Sequence, residues 1–181
     1  MATLFVDKID PQSGTSLEIG SSGDTLDLSN PSNVTLNSVM KNTPSFHATK
    51  SNTSASNTSF TTAIYSIEDR DTDNLFDTST GIFTVTSSTT GYYFFYASVG
   101  TASITANRMQ VNLVKNASTY LLTSEAQSDT SGYPAWNVSG VIPLLSSGDN
   151  VRVKWYQNSG GSISLSNEIN KNFFGGYKII E

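Results

Sequence analysis

At 181 residues the chain is long enough for one hydrophobic core with an extension beside it. It has no cysteine, which excludes disulfides and thiolate metal sites, and its 10 Lys and Arg against 15 Asp and Glu give a net charge of −5, without the clustered cations that nucleic acid requires. Only 14% of residues are charged, so 29 Ser, 22 Thr and 16 Asn carry the polarity, while 10% aromatics keep the chain among folded sequences.

The start, Ala2-Thr3-Leu4-Phe5-Val6-Asp7-Lys8-Ile9, has neither the basic end nor the apolar stretch of a secretory leader, and none is expected. Apolar pairs then recur at short intervals: Leu17/Ile19, Leu26/Leu28 and Val34/Leu36. Each pair is one face of a very short strand, and turn clusters separate them, Gly20–Asp24 and Ser29–Asn33. Such narrow faces bury little apolar surface alone. They suit a short β-solenoid or β-prism segment completed by stacked or symmetry-related copies, or else an ordinary meander. The domain boundary is placed near residue 42, giving an N-terminal β segment (1–42) and a second domain (43–181).

From there on, strands are expected at Ser45–Thr49, Ser59–Ile67, Gly81–Thr86, Tyr92–Ser98, Arg108–Lys115, Thr119–Ser124, Trp136–Leu144, Asn150–Gln157, Ser162–Leu165 and Phe173–Ile180. Turn signals separate them at the spacing of an antiparallel sandwich. Val151, Val153 and Trp155 alternate with Arg152 and Lys154, one face for a core and one for water. Tyr92-Tyr93-Phe94-Phe95-Tyr96 does not alternate. A strand apolar on both faces needs two covers, and a second copy of the chain is the economical second one. The longest apolar stretch, Tyr92–Ala97, is far short of the roughly 20 residues of a membrane helix, so no membrane insertion is expected.

Little in the chain points to catalysis. His47 is the one histidine, with no cysteine or second histidine to complete a zinc site, and packing accounts for it more simply. No nucleophile elbow, P-loop or dinucleotide fingerprint is present. Within Glu68–Asn74, Asp71 and Asp73 could offer oxygens to calcium; the alternative is a solvated loop. No other cofactor is expected. Asn33, Asn52, Asn57, Asn116 and Asn137 open Asn-x-Ser/Thr triplets, which this composition produces by chance. Tyr133, after Ser131-Gly132, and Trp136 are the candidates for stacking on a glycan, although most aromatics of such a sandwich serve core or subunit interface.

From Pro44 onward six motifs follow one another: Phe46 in an opening strand; Asn74-Leu75-Phe76-Asp77 with Thr80-Gly81-Ile82-Phe83; Gly91 before the aromatic strand; Leu113-Val114-Lys115-Asn116; Leu144 followed by Gly148-Asp149-Asn150-Val151; and Phe173-Phe174-Gly175-Gly176-Tyr177. In this order they resemble the globular head of the complement one-q family, a relative of the tumour necrosis factor fold. The resemblance implies an all-β, ten-stranded antiparallel jelly roll that assembles as a homotrimer around its long aromatic strands, with Tyr92, Phe94, Tyr96, Phe174 and Tyr177 as the trimer interface. It also brings calcium, which some members of the family bind. The first 30 residues or so are similar to short N-terminal modules of phage structural proteins.

Together these readings lead to a non-enzymatic trimeric virion protein of a tailed phage, assembled in the host cytoplasm and exposed on the particle exterior. It would be a capsid decoration, cement or head-fibre protein. Leu17, Ile19, Leu26, Leu28, Val34 and Leu36 would attach it to the major capsid protein or another virion protein. A glycan hydrolase would need paired carboxylates across a groove, which the sparse acids beyond residues 68–77 do not supply. The alternatives are a short tail fibre or adhesin whose knob binds a host surface glycan, and a secreted lectin-like signalling domain.

Overall fold

In Asn150–Gln157 the residues Val151, Val153, Trp155 and Gln157 are buried while the four between them are half-buried, so the alternation of the sequence becomes the two faces of a sheet. This is one strand of an all-β sandwich in a computed structural model that describes residues 43–101, 104–128 and 134–179. The strands are β1 Ser45–Thr49, β2 Ser54–Ala55, β3 Thr61–Thr62, β4 Ile67–Asp71, β5 Phe76–Asp77, β6 Ile82–Thr84, β7 Gly91–Gly100, β8 Ala106–Lys115, β9 Thr119–Ser128, β10 Ala135–Leu145, β11 Asn150–Gln157, β12 Ile163–Ser164 and β13 Phe173–Lys178. Among the described residues there is no helix.

One sheet runs β10-β7-β13-β1-β4 and the other β5-β6-β11-β8-β9, with β3 also paired to β11. The first layer has five strands and the second six with β3, while β12 and β2 form a separate two-stranded pair, so the described residues carry thirteen strands where ten were expected. The expected boundary and the N-terminal segment, with Leu17, Ile19, Leu26, Leu28, Val34 and Leu36, lie outside the described residues.

The core between the layers is largely aromatic. Phe46 packs within 4.7 Å of Phe83, 4.9 Å of Phe174 and 5.0 Å of Phe76, measured between ring centroids, so the opening strand nails both sheets together. Tyr65 and Tyr93 enter the core whole and keep their hydroxyls satisfied on the carbonyls of Ser98 and Thr89. Burial drives the Tyr65 phenol upward and pushes that of Tyr93 up to about 12.

Two expected elements differ. Ser59–Ile67 is not one strand: only Thr61–Thr62 pairs with β11, after which the chain sends Tyr65 into the core and Ser66 donates to the Lys50 carbonyl. The acidic run expected as a loop or cation site is instead largely β4, at the sheet edge, where charged side chains discourage further strand addition.

The motif turns are held by their own polar groups. Asp77 accepts from the amide and hydroxyl of Ser79 and from the Thr80 hydroxyl, which lowers its carboxyl pKa. Gly81 follows at φ 71°, and a Cβ there would run into the Ala63 carbonyl. At the end of the second sheet Asp149 takes Lys115 Nζ at 2.6 Å, Asn116 Nδ2 at 2.8 Å and the Ser146 amide at 2.8 Å. Asn116 Oδ1 in turn accepts the Asn150 amide. Two motifs more than thirty residues apart are thus one hydrogen-bonded corner.

The ammonium of Lys115, with the two amide donors, holds the Asp149 carboxyl down at about 2. A depressed carboxylate stabilises the fold above its unfolded value near 4, and that contribution fades as pH falls toward 2. Asp149→Ala is expected to lower the Tm at pH 7 by about 2–6 °C and to shrink the loss of stability between roughly pH 4 and 2. Calorimetry of both proteins across that range checks it; identical acid profiles would contradict it.

Candidate assembly face

The aromatic strand β7 sorts its side chains by parity. Tyr93 and Phe95 are fully buried between the sheets, whereas Tyr92, Phe94 and Tyr96 point the other way, away from the core. The ladder registers place their neighbours in rows across the outward side of the first sheet. One row reads Val141, Phe94, Tyr177 and Ser45; the next reads Ser139, Tyr96, Gly175, His47 and Arg70; a third brings Phe173 beside Ser98 and Thr49.

The rings form a continuous ladder. Phe94 stacks on Tyr177 at 5.5 Å and meets Tyr96 at 6.5 Å; Tyr96 then meets Phe173 at 6.1 Å and the His47 ring at 5.8 Å. Around it Tyr92 (42%), Val141 (59%), Leu144 (50%) and Tyr177 (36%) remain exposed. For a sandwich whose inner faces are already full, this is an unusually apolar outer surface.

Glycine shapes the middle of this face. A Cβ on Gly175 would collide with the Tyr96 ring and hydroxyl, and one on Gly176 with Phe95 in the core. The Gly-Gly pair therefore lets an aromatic ring lie flat across β13 on each side of the sheet. Lying there, Tyr96 brings its hydroxyl to 3.1 Å from His47 Nδ1. Burial raises the Tyr96 phenol pKa, the neighbouring Tyr177 adds to the rise, and Arg70 opposes it.

Beyond His47, Asp69 Oδ2 lies 3.9 Å from Nε2, too long for a hydrogen bond, and it accepts from Thr49 Oγ1 at 3.0 Å instead. Tyr96, His47 and Asp69 are therefore a packed polar seam in an apolar face, without the aligned contacts of a proton relay.

Of the expected interface residues, Tyr92, Phe94, Tyr96 and Tyr177 share this face. Phe174 does not: it is fully buried and packs on Phe46 and Phe95. Phe173 holds the outward place. Strand parity explains the correction, since Phe174 and Tyr177 are three apart and cannot face the same way, whereas Phe173 and Tyr177 can. His47 and Val141 also belong here, and only the register reveals them.

Trp136 is 7% exposed and part of the core, so its ring has no face for a ligand; Tyr133 lies outside the described residues. The Asp71 carboxylate accepts the amides of Asp73 and Phe76, and Asp73 accepts from the Thr72 hydroxyl, so both serve their own turn. Among the described residues no three His, Asp or Glu gather as metal ligands.

The family model of the C1q domain matches residues 45–179. The chain belongs to the C1q domain family. The structure of murine APRIL at pH 5.0 matches this C1q domain with a TM-score of 0.59 at 19% identity, covering 75% of this chain and 98% of that one. The globular domain of zebrafish complement 1qA matches at 0.55 and 19%, covering 75% and 96%. Eiger TNF from S. frugiperda matches at 0.54 and 15%, covering 75% and 91%. At these identities the likeness is one of fold. No curated protein sequence matches the chain. C1q and tumour necrosis factor domains are typically homotrimeric, and typically bind ligands or build structures without catalysis.

Tyr96→Phe keeps the ring and removes the hydroxyl that His47 meets. It is expected to cost about 1 kcal/mol in urea unfolding with an unchanged m-value. An unchanged midpoint would show that the His47 contact contributes nothing.

Proposed function

We propose that this C1q domain is the knob of a non-enzymatic, homotrimeric structural protein on the exterior of a tailed-phage particle, a capsid decoration, cement or head-fibre protein held by its N-terminal segment. The observation that carries the trimer is the outward ladder of Phe94, Tyr96, Phe173 and Tyr177 with exposed Tyr92 and Val141 beside it. Covering about 100 Å² on one such residue contributes about 2.5 kcal/mol, so several per protomer outweigh the entropy of association.

The particle setting rests on different support. A cysteine-free chain rich in Ser, Thr and Asn, with short apolar pairs repeating before the knob, suits a particle surface. On a threefold axis three weak attachment segments act together, which raises avidity without new contacts.

Leu26→Asp with Leu28→Asp is expected to abolish attachment while the knob keeps its Tm. Cryo-electron microscopy of particles carrying either protein reads this out. Wild-type copies at symmetry-related positions on the shell, absent with the variant, support the proposal. Copies confined to the tail would make it a fibre or adhesin. Full occupancy by the variant would refute attachment through these leucines, and no copies of the wild type on any particle would refute the virion reading.

A further inference from the structure

The outward side of the second sheet, opposite the assembly face, carries a second aromatic cluster. Phe60, just before β3, lies 5.0 Å from the ring of Tyr156 on β11 and 5.7 Å from that of Tyr120 on β9. Phe60 is 39% and Tyr120 48% exposed. The registers order this face into rows: Tyr156, Gln110 and Glu125; Lys154, Asn112 and Thr123; Arg152, Val114 and Tyr120. Although they point outward, Gln110 (7%), Asn112 (1%) and Val114 (0%) are buried, so their neighbours on this face lie over them. The rings thus rest on a fixed floor of buried strand side chains, Gln110, Asn112 and Val114.

Polar groups border the rings. Arg108 stands 5.3 Å from the Tyr156 ring centre and donates to both oxygens of Glu125, which also accepts from Gln110. That ion pair is satisfied. Lys154 donates to the Ala117 carbonyl and Arg152 to Asn150 Oδ1, neutral acceptors that leave both charges uncancelled. Asp77, at the far end of the Arg152 row, is hydrogen-bonded to the equally neutral Ser79 and Thr80 and keeps its negative charge. With Arg108 and Glu125 paired, Arg152 and Lys154 stand against Asp77 alone, one positive charge in excess on this face of a chain of net charge −5.

From this we infer that the outer sheet is a binding site for an acidic oligosaccharide, whose ring faces stack on Phe60, Tyr120 and Tyr156 while its carboxylate or phosphate meets Lys154 and Arg152. Two features suit a saccharide. The exposed parts of Phe60 and Tyr120 offer about 200 Å² together, which fits one or two sugar rings. The rings are bordered by the exposed Thr123 hydroxyl, the Arg108 guanidinium and the Glu125 carboxylate, which pair with sugar hydroxyls while the rings meet C–H faces. The site lies within one protomer and on the sheet away from the assembly face. In the proposed trimer three copies would stay open for avidity, a gain that rests on that reading.

The test uses the full chain against an immobilised panel of uronic-acid, sialylated and phosphorylated oligosaccharides, each beside its neutral counterpart, with the mass of the protein recorded in the same buffer. At least one acidic member is expected to bind, its neutral counterpart more weakly, with affinity falling as salt rises. Tyr120→Ala is expected to weaken binding about tenfold, as loss of one stacked ring should, and Lys154→Met to flatten the salt dependence. Both positions are outside the core, and matching Tm values show that the fold is kept. No binding to any acidic member, equal binding to neutral counterparts, or binding indifferent to both substitutions would overturn the inference. Because the mass is measured separately, a monomer that binds refutes the trimer and leaves the site standing.

Discussion

Strand β7 puts Tyr93 and Phe95 into the core and Tyr92, Phe94 and Tyr96 on the other side of the same sheet, so folding can bury only half of its aromatic surface. Much of the rest of the molecule follows from that constraint. β13 lies beside β7 and must give room to rings on both sides, which it does with Gly175 and Gly176. β1 lies beside β13 and supplies Phe46 to the inner cluster and His47 to the outer one. The outward rings are then already organised as a ladder before any partner arrives, so little side-chain entropy remains to be lost on assembly.

The two outer surfaces of the sandwich consequently differ in character. The first presents stacked rings with one polar seam, Tyr96–His47–Asp69, and Arg70 at its border. The second presents a small aromatic cluster set among cations and amides. The former has the scale and apolarity of a subunit contact, the latter that of a site for a small polar ligand. In the proposed trimer, assembly through one sheet and the proposed recognition through the other would not compete.

Much of this was legible in the sequence because β-sheets have a period of two. The run of five aromatics announced two apolar faces, and Val151, Val153 and Trp155 announced one. The motif order was legible too, but that Asn116 and Asp149, with Lys115 and Ser146, close one corner was not, because its two halves lie more than thirty residues apart. What failed did so where pairing outweighs local pattern. Phe174 was placed on the wrong face by taking composition without parity. Ser59–Ile67 was read as one strand although Tyr65 has to leave the ladder to reach the core. The acidic residues 68–71 gave no strand signal, because an edge strand needs no apolar face to be held by its neighbour. The cluster of Phe60, Tyr120 and Tyr156 was invisible as a unit, since its members come from segments that only the register of β3, β11, β8 and β9 brings together.

The central claim is that the outward face of β7 is covered by further copies of the chain. Light scattering coupled to size exclusion at micromolar concentration addresses it directly. The account predicts three times the 19.4 kDa chain mass, falling to a single chain when Phe94 and Tyr177 are both replaced by Lys with the core intact. A wild-type protein that elutes as a clean monomer would contradict it.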